Sequence, residues 1–135
     1  MRRQFSLPEA DETYLESLGL PWEAIIENGV RWLLLHGYTV FPGYNHSSVT
    51  AAIRIGTGYP EAQLDMVYFH PPLARLDRVT VTALTPYPLD GKTYQQWSRH
   101  RSGVNPWRPG EDDLSTHLAL VNDWLEREFR LKRSA

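Results

Sequence analysis

Apolar positions recur on two different periods along this chain, and the changes of period mark out its elements. The clearest stretch is the last. Leu114, Leu118, Val121, Leu125 and Phe129 follow one another at intervals of four, three, four and four, the repeat of a helix with one buried stripe. Asp112 or Asp113 can cap it. Glu111, Asp112 and Asp113 at its start, and Arg127, Arg130, Lys132 and Arg133 at its end, both favour the helix dipole. A shorter amphipathic helix is predicted from Leu7 to Leu18, with Ser6 as N-cap, Pro8 in the first turn, Glu9 on the dipole and Gly19 as the stop. Leu7, Tyr14, Leu15 and Leu18 form its apolar side.

Between these segments the pattern favours strands. Trp32 to Tyr38 is a short run bounded by glycines, as in a buried strand. Val49 to Ile55 ends in alternating Ile53-Arg54-Ile55, and Asp65 to Phe69 is a third strand closed by Pro71-Pro72. Gly43, Gly56, Gly58 and Pro60 punctuate short intervals, which suit an antiparallel meander. Val79 to Thr82 is a further strand candidate. From His70 to Pro109, however, Pro86, Pro88, Asp90-Gly91, Gly103 and Pro106 predict a long irregular excursion, held to the body by Tyr87, Tyr94, Trp97 and Trp107. Helix, meander, loop and helix make an α+β layout, expected to be one domain over residues 1–135.

Composition narrows the chemistry. An apolar fraction of 41%, with five tryptophans, seven tyrosines and four phenylalanines, supplies core enough for 135 residues to fold without staples. There is no cysteine, which removes disulfides, thiolate metal sites and a thiol nucleophile together. A net charge of -2 gives no global attraction to nucleic acid or anionic membrane. No signal peptide follows Met1-Arg2-Arg3, and no apolar run could span a bilayer. The expected location is the cytoplasm.

Several motifs are excluded. Gly56-Thr57-Gly58 lacks the Gly-Lys-Ser/Thr of a phosphate loop, no Gly-x-Ser-x-Gly elbow occurs, and the five histidines show no ligand-pair spacing. No cofactor is expected. His117 sits at the edge of the helical stripe, where packing explains it. Arg99, Arg101 and Arg108 lie among Trp97 and Trp107, an arrangement read first as a solvated loop whose arginines stack on tryptophan, and otherwise suited to an acidic or carboxylate-bearing partner or to a single-stranded nucleic acid. The net charge argues against the latter. Ser98 and His100 are the one nucleophile–base pairing. In an extended segment they share a face, so His100 could take the Ser98 proton. In a helix they diverge by about 200°.

These residues carry a resemblance. Gly58-Tyr59-Pro60, followed by Leu64 to Phe69 and then His70-Pro71-Pro72, resembles the ubiquitin-conjugating stretch in which a Tyr-Pro turn leads through a strand to His-Pro-Asn. Trp107-Arg108-Pro109 before the long helix resembles that fold's Trp-x-Pro element. With Leu7-Pro8-Glu9 and Trp97-Ser98-Arg99-His100, the chain is most similar to prokaryotic ubiquitin-conjugating-like family E. The resemblance implies a carrier that accepts the C-terminus of a ubiquitin-like modifier from an adenylating activating enzyme. A JAB-type metalloprotease would remove the modifier. Two departures stand out: Pro72 replaces the asparagine that helps stabilise the oxyanion, and the catalytic cysteine is missing. That cysteine would lie about eight residues before the tryptophan. Counting back from Trp107 reaches Arg99, with Ser98 and His100 alongside; counting forward from His70 reaches Thr80. The count from Trp107 avoids the longer loop and selects Ser98. The implied chemistry is an oxyester on Ser98, with His100 as base, Arg99 or backbone N–H groups for the oxyanion, and Trp97, Arg101, Trp107 and Arg108 meeting the partner. The alternative is a non-catalytic variant that binds the modifier or a partner enzyme.

Overall fold

In a computed structural model, which describes residues 1–131, Val30–Thr39 (β2) is the strand against which the rest of the sheet is laid. It pairs on one side with Trp22–Glu27 (β1) and on the other with Ser48–Ile55 (β3). Val67–His70 (β4) continues the antiparallel order, and the hairpin Leu84–Leu89 (β5) and Lys92–Trp97 (β6) completes it. The sheet order is β1-β2-β3-β4-β6-β5. Chain direction explains that order. The long 71–83 connection runs to the far edge, and the hairpin returns β6 beside β4.

The predicted meander is present and the fold is α+β, but two expectations change. Residues 79–82 form no strand. The stretch read as one irregular excursion contains the β5–β6 hairpin, so the loop falls into two parts, 71–83 and 98–113. The hairpin turns on Asp90-Gly91, both at positive φ (52° and 71°). This is the primed turn whose twist suits antiparallel strands. Pro86 and Pro88 are tolerated because β5 is an edge strand and needs no N–H on its outer side.

The strands alternate between two cores. Leu33, Leu35, Ala51, Ile53, Val67, Phe69 and Trp97 face both helices. Ile25, Trp32, Leu34, Ala52, Tyr68 and Tyr94 face the other way. Among the described residues no helix packs with this second group. The sheet coils instead, bringing Tyr87 of β5 to 5.5 Å from Trp32 of β2 and 5.1 Å from Tyr68, between ring centroids. Arg2 bridges Glu23 of β1 and Asp90 at the hairpin tip (3.0 and 2.7 Å) and so ties the coil shut. Both faces of Trp32–Leu35 are therefore covered, and all four residues are buried. A continuous apolar run predicts this better than alternation does.

The first helix, Glu9–Ser17 (α1), is shorter than expected and starts after Pro8, with no side-chain cap from Ser6. Glu12 of the first turn accepts from the Leu7 N–H at 3.0 Å and so fixes the chain where it enters the helix. Leu18 lies outside the helix and is exposed, whereas Asp11 is buried. The second, Leu114–Leu131 (α2), buries Leu114, Leu118, Val121 and Leu125 as the periodicity requires. Asp113 caps it: Asp113 Oδ1 accepts from the Thr116 N–H (3.2 Å), and Thr116 Oγ1 accepts from the Asp113 N–H (3.0 Å). Lys132 and Arg133 of the expected basic end lie outside the described residues. No helix among the described residues is long and apolar enough to cross a membrane.

Loop 71–83 is anchored by a buried cation. Arg75 pairs with Asp77, donates through Nη1 to the Glu128 carbonyl (2.7 Å) and lies 4.3 Å from the centroid of the Phe129 ring. Loop 98–113 is held by Trp107, whose indole N–H donates to the Pro60 carbonyl (3.1 Å) beside the Tyr59 ring. Tyr59 in turn hydrogen-bonds to Asp11, which also accepts from the Leu114 N–H (3.4 Å). One buried carboxylate thus joins α1, the Tyr59-Pro60 turn and the start of α2. Burial raises the pKa of that carboxyl.

Candidate functional site

Strand β6 decides where the site side chains point. Trp97 faces the helices and is fully buried, edge-on to Phe69 at 5.5 Å. Gln96 and Ser98 take the opposite face, two residues apart. Ser98 extends the β5–β6 ladder by donating its N–H to the Ala83 carbonyl (3.1 Å). The chain then turns, because the Arg99 N–H bonds back to the Trp97 carbonyl at 3.0 Å. That i→i+2 bond is a γ-turn centred on Ser98, and it leaves the serine half-buried at the apex.

The γ-turn removes the extended geometry that a Ser98–His100 hydrogen bond needs. His100 goes elsewhere, its Nδ1 lying 2.7 Å from Asp65 Oδ2. The Ser98 hydroxyl accepts instead from the Gln96 amide at 3.4 Å. Arg99 turns inward. Its guanidinium lies 4.9 Å from the Trp97 ring and 3.4 Å from Glu128 of α2, away from the face that carries the Ser98 hydroxyl. Among the expected partner-binding residues, Trp97 is interior. Arg101 is also covered, with 4% of its side chain exposed, between the Trp107 ring (4.8 Å) and Asp112 (3.8 Å). Neither can present a contact surface without moving. Trp107 is half-buried and Arg108 exposed. The sequence cluster is therefore split: Arg101 and Trp107 build the loop, and Arg108 faces solvent.

Three residues that patterning did not single out complete the site. Asp65 immediately precedes Met66, whose φ of 59° places it in the left-handed region. The strand therefore begins at Val67 and not at Asp65. Such a backbone costs energy unless neighbours hold it. Here the Met66 N–H donates to the Arg99 carbonyl (3.2 Å), and its carbonyl accepts from His117 Nε2 (2.9 Å). Gln96, the third, donates to Ser98. Its position two residues before the serine was the available signal, but that signal depends on recognising β6.

His117 belongs to this arrangement as a structural group. It is completely buried, and burial, with the Arg101 charge adding, pushes its pKa down to about 4. Neutral imidazole donates through Nε2 to Met66, so Nδ1 is an acceptor. That atom, Asp65 Oδ1, and Arg101 Nε and Nη2 are buried without a hydrogen-bond partner among the described residues. A polar layer thus runs from α2 to the surface pair Asp65–His100. At the other end of β4, His70 donates its Nδ1 hydrogen to the Thr93 carbonyl (3.0 Å), and the adjoining Pro72 is exposed. With no amide side chain at 72, the only side-chain amide bonded to Ser98 among the described residues is that of Gln96.

A family model described as Prokaryotic E2 family E matches residues 7–128. No curated protein and no solved structure matches the chain.

Proposed function

Since the chain belongs to prokaryotic E2 family E, we propose that it carries a ubiquitin-like modifier as an oxyester on Ser98. The observation that supports this reading is the position of Ser98. It is a hydroxyl at a turn apex, where β6 gives way to the segment leading through Trp107-Arg108-Pro109 into α2. A turn apex presents its side chain away from the ladder, and the Gln96 amide supplies a donor beside it. In the loading step Ser98 Oγ attacks the carbonyl carbon of the modifier's C-terminus, activated as a thioester on the activating enzyme. The Oγ–C bond forms, the C–S bond breaks, and the hydroxyl proton ends on the departing sulfur. The Gln96 amide can then support the negative oxygen of the tetrahedral intermediate. An oxyester is a weaker acyl donor than a thioester, so transfer to an amine needs further help from the site.

The protein, its modifier, an adenylating activating enzyme and ATP should together give an adduct that resists thiols and yields to hydroxylamine. Ser98→Ala should abolish it. An adduct that forms equally well without the Ser98 hydroxyl would remove serine from the mechanism. A second reading, a non-reacting member that binds the modifier or the activating enzyme, is favoured by the pairing of His100 with Asp65 and not with Ser98. It predicts binding unchanged by Ser98→Ala and no adduct. The partners are those of the pathway, a modifier and an activating enzyme, with a JAB-type metalloprotease as the reversing activity. The cytoplasm remains the proposed location.

A further inference from the structure

His100 is held in a way that Ser98 does not explain. Its Nδ1 faces a carboxylate oxygen, an acceptor only, so Nδ1 carries the hydrogen and Nε2 keeps its lone pair. The side chain is 60% exposed and Nε2 has no hydrogen-bond partner among the described residues. Asp65 is fixed from behind. The residue after it, Met66, and the residue before His100, Arg99, are joined by a backbone hydrogen bond, and His117 locks the Met66 carbonyl. Carboxylate and imidazole therefore stand on two segments clamped together, an arrangement set before any substrate arrives.

We propose that His100 Nε2 is the base for discharge of the carrier, taking the proton from the attacking amine, and that Asp65 is its positioning residue. The inference rests on the Ser98 reading and extends it to the second half of the reaction. The amine nitrogen bonds to the ester carbonyl carbon and its proton passes to Nε2. As the tetrahedral centre collapses the C–Oγ bond breaks, Ser98 Oγ takes a proton from water, and Nε2 gives up its proton to solvent. An amide and a free serine result, with no change of oxidation state. The substrate class is a primary amine approaching from solvent on the side of the exposed Nε2, not one threaded through a closed pocket. The other charged groups nearby are already committed: Arg99 to Glu128 of α2, and Arg101 to Asp112 before α2. Buried His117 of α2, bonded to Met66, is neutral at physiological pH.

The test separates loading from discharge. Wild type, Asp65→Asn, His100→Gln and the double variant are loaded with modifier, freed of activating enzyme and ATP, and mixed with excess free lysine over about pH 6 to 9. Each protein is charged to its own plateau, and discharge is read as a rate relative to the fraction charged. Each single variant should then discharge at least ~10-fold more slowly, within the range general bases supply, and the double variant no more slowly than either single. The dependence of the discharge rate on pH over this range should differ between wild type and His100→Gln, a change that a purely structural role would not produce. Since His100 is exposed, that variant tests the proposal even if Asp65→Asn disturbs the fold. Discharge at the wild-type rate in His100→Gln, or deficits that multiply in the double variant, would overturn the pairing and leave Ser98 untouched. Absence of any Ser98 adduct in the wild type would overturn the carrier reading and this inference together.

Discussion

Acidifying the protein should unfold it in two separable stages, the first of them due to His117. In the folded state the imidazole is buried, with a pKa near 4, against 6.5 for an ordinary histidine. Below 6.5 the unfolded chain binds a proton that the folded chain refuses, so stability falls as pH drops. The loss is complete once pH reaches about 4, where the folded protein also takes the proton. A difference of roughly 2.5 pH units corresponds to about 3 kcal/mol, a large share of a typical domain's stability. The second stage comes from carboxylates held low by cations or hydrogen bonds. Glu23 is depressed to about 2, first by the Arg2 hydrogen bond, and Asp90 is depressed by the same arginine. Their contribution is present above the ordinary carboxylate range and is lost only below it. Urea denaturation at half-unit steps from pH 7.5 to pH 4, on wild type and His117→Gln, would resolve the first stage. Glutamine keeps an N–H donor for the Met66 carbonyl but does not titrate. The variant should start lower at pH 7 and stay level from 6.5 to 4.5 while the wild type declines by about 2 kcal/mol over that window. Parallel decline of the two proteins would refute the assignment, and so would a level wild type.

The remaining predictions concern the scaffold. A Cβ at Gly43 would meet Phe129 ring carbons at 2.6 and 2.9 Å, at a φ of 113°; Gly43→Ala should therefore cost about 2 kcal/mol or more, and Phe129→Leu should restore only part of it, by urea midpoints. Arg75→Ala strips the buried hydrogen bond to the Glu128 carbonyl and the pairing with Asp77. A loss of about 2 to 4 kcal/mol is expected, with faster proteolysis in loop 71–83. Asp113→Ala removes the cap of α2 and should cost about 1 kcal/mol, read from the melting temperature.

Much of this architecture is legible in the residues because burial leaves a periodic trace. The stripe of α2, the covered strand at Trp32–Leu35 and the closure of β4 at Pro71-Pro72 can all be read this way. What escapes has a common cause. The β5–β6 hairpin carries prolines on a strand, which an edge position permits but a pattern search penalises. Once β6 is missed, the faces of Gln96, Trp97 and Ser98 are unassigned, and Trp97 reads as a contact residue although it is core. The pairing of Asp65 with His100 spans 35 residues and depends on a left-handed backbone at Met66, for which no residue type gives warning. Family membership, by contrast, rests on a match over residues 7–128 and not on any one side chain. Within that range Trp107 anchors its loop through the Pro60 carbonyl beside Tyr59.

The most direct test of the carrier reading is to map the adduct. Protein charged by its modifier and activating enzyme with ATP is digested at mildly acidic pH, where an ester survives, and the modified peptide is fragmented by mass spectrometry. The modifier's C-terminal remnant should lie on Ser98, and brief hydroxylamine treatment should remove it. A remnant on a lysine, on a hydroxyl outside residues 97–100, or on no residue of this chain would contradict the central claim.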